Sequence, residues 1–274
     1  MKSHLSVWDI AEGRARTILT VDQRIEAPNW DPAGDTLLVN GGGRLFRVPL
    51  SAPDLIPVDT GFADRCNNDH GISPDGRMIA LSHHRGNGSE MFLMPAGGGT
   101  PRLVSPESPS WWHGWSPDGR TLAYVAARGD RKVIDIYTIP VDGGAETRLT
   151  FGEGHSDGPD YSHDGSLIYW NCDRDGHAQI WVMGADGSVQ RKLFADDHVN
   201  WFPHPSPCGR HLLYLAYPPG TTGHPADLPV ALVLCNPDGT DRRRVLEFTG
   251  GQGTMNVPNW ASDGHAFAFV RYTA

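Results

Sequence analysis

Apolar and polar residues alternate along this chain in short runs, and the runs recur in a fixed order. TLAYV at 121–125 is followed by a polar turn and by IDIYTI at 134–139; LIYW at 167–170 is followed by QIWV at 179–182. Period-2 alternation bounded by turn residues predicts half-buried β-strands. A second glycine turn follows each pair, at 142–144 (DGG), 186–187 (DG) and 238–239 (DG), and a last short strand ends at 148–149, 192–193 and 244–245. Before each group stands one phrase: WDPAG at 30–34, ISPDG at 72–76, WSPDG at 115–119, YSHDG at 161–165, PSPCG at 205–209 and WASDG at 260–264. The final glycines are spaced 42, 43, 46, 44 and 55 residues apart. A period of this length is the signature of a propeller or solenoid, and four strands per period select the propeller.

The phrase has a mechanical reading. Proline presets φ for a turn, Ser or Asp bonds the local backbone, and glycine accepts positive φ. It therefore marks the turn between the first and second strands of each unit. The aromatic that precedes it reads as packing between blades. The expected fold is all-β: one six-bladed β-propeller of four-stranded blades spanning 1–274. Its blades run roughly over 30–60, 72–105, 115–150, 161–195, 205–247, and 260–272 joined with 3–19. In that last blade two C-terminal strands pair with two N-terminal ones, which covers strand edges that would otherwise stay open.

Composition narrows the classes of function. Gly (33) and Pro (22) are abundant, as many tight turns require, and the net charge of −9 comes without a basic stripe. Nucleic acid is not an expected partner. No apolar run is long enough to cross a bilayer, and the first 19 residues lack a secretory core. The expected location is cytoplasmic, or periplasmic if a leader has been removed. Cys66, Cys172, Cys208 and Cys235 show no metal-finger spacing and read as reduced thiols.

The six Ser-Pro-Asp-Gly-like turns resemble those of the TolB family of β-propellers, over nearly the whole chain from about Leu5 to Arg271. A weaker similarity is to the oligogalacturonate lyases, propellers that use histidines near the central channel with a divalent metal. The resemblance implies that the segment leading into each phrase lines the channel. It also places the turns between second and third strands at that same mouth and the repeated phrases at the other.

The lead-in segments are IEAPN (25–29), NNDHG (67–71), SWWHG (110–114), SDGPD (156–160), NWFPH (200–204) and MNVPN (255–259). Packing alone would make them apolar or small. Instead they carry His70, His113 and His204, with Asn68, Asp69, Asp157, Asp160, Asn200 and Asn256. His155 and Gln252 lie just upstream of two of them. Two histidines with a carboxylate suit a divalent metal such as Mn, Zn or Ca, which would polarise a carbonyl or carboxylate. The candidate metal ligands are His70, His113 and His204. The candidate catalytic residues are His113, His70 and Asp157, a histidine acting as base with a carboxylate to orient it. Taken singly, each histidine is more readily a residue that bonds a neighbouring blade; the group at equivalent positions points to a site.

Trp111, Trp112, Trp201 and Phe202 flank these groups, and flat rings beside polar groups suit a sugar. One or two of them fit packing between blades equally well. The extra length of the last repeat falls at 218–229, between an expected second strand (212–217) and third (230–235). It would hang over the same mouth and bring His224 to it. Polar turns at 83–85, 128–131 and 173–177 offer Arg85, Arg128 and Arg174 as clamps for an acidic ligand, or simply as solvated charges. Two functions follow. One is a carbohydrate- or uronate-acting lyase or hydrolase, metal-dependent, with a small-molecule or oligosaccharide ligand at the channel mouth. The other is a non-catalytic scaffold gripping a peptide or protein.

Overall fold

The computed structural model describes residues 1–86, 88–129 and 133–274. Each repeated turn is closed by its own side chains. In the second repeat Ser73 Oγ donates to Asp75 Oδ1 (2.6 Å), Arg77 N donates to the same oxygen (3.1 Å), and Met78 N donates to Ser73 Oγ (2.9 Å). Ser116 with Asp118 and Ser162 with Asp164 repeat the pattern. The closing glycine takes positive φ, 73° at Gly76 and 69° at Gly119, which costs a residue without Cβ little.

These turns join antiparallel strands into six sheets, with no helix among the described residues. The chain begins with β1 (Lys2–Asp9) and β2 (Arg14–Val21). The first full blade is β3 (Glu26–Trp30), β4 (Thr36–Gly41), β5 (Arg44–Pro49) and β6 (Ile56–Pro57). The second is β7 (Cys66–Ile72), β8 (Met78–Arg85), β9 (Gly88–Pro95) and β10 (Arg102–Leu103). The third is β11 (Ser110–Trp115), β12 (Thr121–Ala127), β13 (Ile134–Pro140) and β14 (Thr147–Arg148). The fourth is β15 (Ser156–Tyr161), β16 (Leu167–Cys172), β17 (Gln179–Gly184) and β18 (Arg191–Lys192). The fifth is β19 (Val199–Pro205), β20 (Leu212–Tyr217), β21 (Ala226–Cys235) and β22 (Arg243–Gly251), and β23 (Ala266–Thr273) ends the chain.

The sixth blade closes the ring as the sequence predicts: β1 pairs with β2 on one side and with β23 on the other. Its inner layer is less regular than expected. Residues 255–260 make a single bridge, Trp260 to Phe267, although Val270 N still donates to Thr254 O (3.1 Å) and Ala268 N to Asn259 O (2.8 Å). The insertion also differs from a simple loop. Part of it lengthens β21, so that 226–230 pairs with 248–251 of β22, and only 218–225 is left as loop.

Adjacent blades meet through small residues. Gly71 lies under the Trp112 indole so closely that a Cβ there would stand 2.2 Å from the ring. At the turn face the proline of one repeat packs on the glycine of the next: Pro32 on Gly76, Pro74 on Gly119, Pro117 on Gly165. The core between blades is apolar, with Leu5, Leu37, Leu122, Ile168 and Leu213 fully buried.

Leu5 sits between Leu19 and Val270 in the closing blade. Leu5→Ala is expected to lower the unfolding free energy by about 2–5 kcal/mol, the usual range for a buried leucine, as does Leu213→Ala in the fifth blade. Urea unfolding measures both, and a silent Leu5→Ala would show that the N-terminal strand is not integral to the ring.

Candidate functional site

Every inner strand of the five continuous blades carries a β-bulge: between Glu26 and Asn29, Cys66 and His70, Trp112 and Gly114, Asp157 and Asp160, and Trp201 and His204. A bulge bends the strand and re-aims its side chains. In three blades the bulge holds a positive-φ residue followed by proline, Ala27 (54°), Gly158 (60°) and Phe202 (55°). In the second blade the extra residues are 67–69, and in the third the extra residue is His113.

That shift of one position separates two histidines that look equivalent in sequence. His70 stays in the ladder opposite Leu81. It is fully buried, with Nε2 3.3 Å from Asn40 Oδ1, and burial pushes its pKa down to about 3. His113, released from the ladder, reaches the channel.

There it joins a cluster around one carboxylate. His113 Nε2 lies 3.0 Å from Asp157 Oδ1, His155 Nε2 lies 3.3 Å from Oδ2, and His224 Nε2 lies 3.6 Å from Oδ2. Gly158 N also donates to Asp157 Oδ1 (2.7 Å). Burial alone would raise the Asp157 pKa, but the hydrogen bonds from His113 and His155 overcome it and hold the carboxyl well below its usual range. Burial likewise opposes charge on His113, and Asp157 outweighs it, so this imidazole titrates above its ordinary value. His113 Nδ1 faces the Asn256 carbonyl at 3.2 Å; with acceptors at both nitrogens, the ring is built as an imidazolium. His155 is raised in the same way, against burial. His224 is lowered by burial, and its Nδ1 is buried with no hydrogen-bond partner among the described residues.

The cluster forms one wall of a cavity of about 300 Å³ at the predicted mouth. Asn68, Asp69, Gln252 and Asn256 complete its polar lining, and Trp111 and Phe202 add apolar surface. Asp69 accepts from Asn67 Nδ2 (2.7 Å) and Asn256 Nδ2 (3.0 Å). Burial pushes its pKa up to about 6, with His113 opposing. Phe202 stacks on His113 at 6.4 Å, and Trp201 packs behind the cavity, edge-on to His224 at 4.5 Å.

Several expected residues stand elsewhere. Trp112 is completely buried over Gly71 and is a packing residue. Asn200 is tied to Asp196 and Gln179 behind its strand. Asp160 and His204 bond each other at 3.0 Å and lie deeper, on the side of the opposite mouth. The trio His70, His113 and His204 does not fit a metal. His204 directs both nitrogens at acceptors, Asp160 Oδ2 and Met255 O (2.8 Å), His113 does the same, and His70 is boxed against Asn40. Among the described residues no group of three or more His, Cys, Asp or Glu side chains stands in a metal-holding arrangement.

The arginines are spent locally. Arg128 forks onto Glu146, Arg174 pairs with Glu153 over the Trp181 ring, and Arg85 lies 3.8 Å from Glu90. Arg131 lies outside the described residues. The sequence pattern does not single out Asn67, Val125 or Ile134, which also line the cavity. His84, from the polar turn at 83–85, joins them. The thiols are free, as expected.

A six-bladed ring with a polar, histidine-rich funnel on its axis defines a class of propeller. The TolB beta propeller domain matches residues 72–228, more than half of the chain, and the chain belongs to that family. A solved chain from Agrobacterium tumefaciens, described as a TolB candidate, is 46% identical with a TM-score of 0.97, covering 100% of this chain and 99% of that one. The Tol-Pal system protein TolB of Anaeromyxobacter dehalogenans is 29% identical over 127 residues, 46% of this chain and 29% of the relative. An oligogalacturonate lyase in complex with manganese shares the fold at 15% identity and TM-score 0.59, over 96% of this chain and 77% of that one.

Asp157→Asn tests the electrostatics. A raised His113 pKa stabilises the fold below about pH 6.5 and loses that effect as pH rises through the folded value; a depressed Asp157 pKa stabilises it above about pH 3.9 and loses it on acidification. Between those limits the variant is expected to be less stable by about 3–5 kcal/mol, the cost of breaking a buried pair. The gap narrows at higher pH. Thermal unfolding of both proteins across pH 4–9 reads it, and a gap that does not depend on pH contradicts the assignment.

Proposed function

We propose that this propeller binds an acidic sugar, a short oligouronate, in the funnel around Asp157 and acts on it as a lyase: the proton next to the carboxyl is removed, the β glycosidic C–O bond breaks as the C=C bond forms, and the departing oxygen takes a proton from water. The observation that carries the reading is His224: a neutral imidazole with Nε2 facing an anionic carboxylate and Nδ1 left without a partner. Such a ring can accept a proton at Nδ1 while Asp157 stabilises the charge it gains. His155, the most exposed of the three at 39%, is a cationic partner for the ligand carboxylate, and neutralising that carboxylate would ease removal of the adjacent proton. Trp111 and Phe202 offer apolar surface to a sugar ring, and Asn68, Gln252 and Asn256 offer hydroxyl partners. A divalent metal enters this reading only through the manganese-bound fold neighbour, and no step is assigned to it.

The second reading is a scaffold that holds a peptide in the same funnel, favoured by the likeness to Tol-Pal system proteins. That likeness also makes the periplasm the compartment to compare with the cytoplasm by cell fractionation.

Incubation with oligogalacturonides, followed by the ultraviolet absorbance of an unsaturated product, tests the first reading. The wild type is expected to form product. His224→Ala, a change in the 218–225 loop, is expected to form it at least about 100-fold more slowly while binding the sugar within a few-fold. A wild type that neither binds nor cleaves uronides but captures a peptide overturns the lyase reading in favour of the scaffold.

A further inference from the structure

The channel has a second mouth, at the face of the repeated turns, and a separate cavity of about 280 Å³ opens there. Its wall takes aromatics from four blades, Trp30, the pair Trp112 and Trp115, Tyr161 and Trp260, and its rim is formed by the turn prolines. The indole edges of two of these rings are turned into the wall: Trp115 Nε1 donates to Gly71 O (3.3 Å) and Trp260 Nε1 to His204 O (2.9 Å). What those rings offer the cavity is therefore carbon and π surface.

Two acidic groups line the cavity, Asp31 and Asp160, and Asp31 is paired with Arg47 at 3.4 Å. Asp160 is 7% exposed, lines the cavity, and has one oxygen held by His204 at 3.0 Å. The turn serines Ser73, Ser116 and Ser162 spend their hydroxyls on their own turns, so the rim offers a polyhydroxyl ligand little. The six turns at 31–35, 73–77, 116–120, 162–166, 206–210 and 261–265 hold six aspartates against three arginines. The rim is thus net negative and repels anions.

We propose that this second cavity binds a small organic cation, an alkylammonium or quaternary ammonium group held against the aromatic walls with Asp160 as its acidic partner. Aromatic rings attract such a cation through their quadrupole, and desolvation strengthens the contact. Specificity follows from the same parts: the ligand has an apolar body, a positive centre and no need of many hydrogen bonds. The site lies at the other end of the channel from Asp157 and does not depend on the reading of the first.

Titration of the intact protein with choline, and in parallel with its neutral carbon isostere 3,3-dimethylbutan-1-ol, tests the proposal by tryptophan fluorescence. A saturable change with choline and none with the alcohol at equal concentration is expected. Asp160→Asn is expected to weaken choline binding about tenfold or more, with circular dichroism reporting whether it folds. Trp30→Leu, at a position that is only partly buried, provides the same loss should Asp160→Asn fail to fold. Equal responses to the two probes, no saturable change with choline, or unaltered binding in both folded variants overturns the proposal.

Discussion

Six blades can share one axis only where each blade lets its neighbour approach to backbone distance, and the structure secures this with residues that lack bulk at the contacts. Gly71 under the Trp112 ring and Gly114 against the Pro159 carbonyl, 3.0 Å from where a Cβ would stand, fix the separation of the second, third and fourth blades. The stacking of turn prolines on turn glycines repeats the same condition at the outer face. The N-terminal strand completes the ring, because β1, inserted between β2 and β23, covers the outer edge of β23. Channel width, and hence which side chains can meet across it, follows from these close approaches.

Within that frame the bulges decide what the channel displays. A regular inner strand would send alternate residues into the interfaces between blades. The bulge interrupts the alternation, and where it falls determines which polar residue is freed. In the second blade it frees Asn67, Asn68 and Asp69 and leaves His70 in the wall; in the third it frees His113. In the fourth and fifth blades a positive-φ residue before proline turns Asp157 and Phe202 towards one mouth, while Asp160 and His204 meet nearer the other. The strain of Phe202 at φ 55° sits at the ring that covers His113, as expected where backbone geometry serves a site.

The architecture was legible because the turn phrase recurs six times and turn chemistry is local: Ser, Asp and Gly do in the structure what their side chains imply. Much of the funnel was legible too, since Asn68, Asp69, Trp111, His113, His155, Asp157, His224, Gln252 and Asn256 meet at the mouth to which repeat position assigns them. What repeat position does not carry is the register of a bulge. Matching His70 with His113 residue for residue hides a one-position slip, and a slip of one reverses the face of a side chain. For the same reason Trp112 is interior while Phe202 covers the cavity. The metal trio failed on a different ground. Hydrogen-bond acceptors contributed by distant segments, such as the Met255 and Asn256 carbonyls, had already taken the histidine nitrogens.

The funnel depends on an asymmetric set of charges around Asp157, with His113 holding two protons and His224 holding one, on Nε2. Nitrogen-15 NMR of the histidine side chains at neutral pH, assigned with His113→Gln and His224→Gln, reads this state directly. Two protonated ring nitrogens are expected for His113 and an unprotonated Nδ1 for His224. A singly protonated His113 together with a doubly protonated His224 would contradict this arrangement of charges.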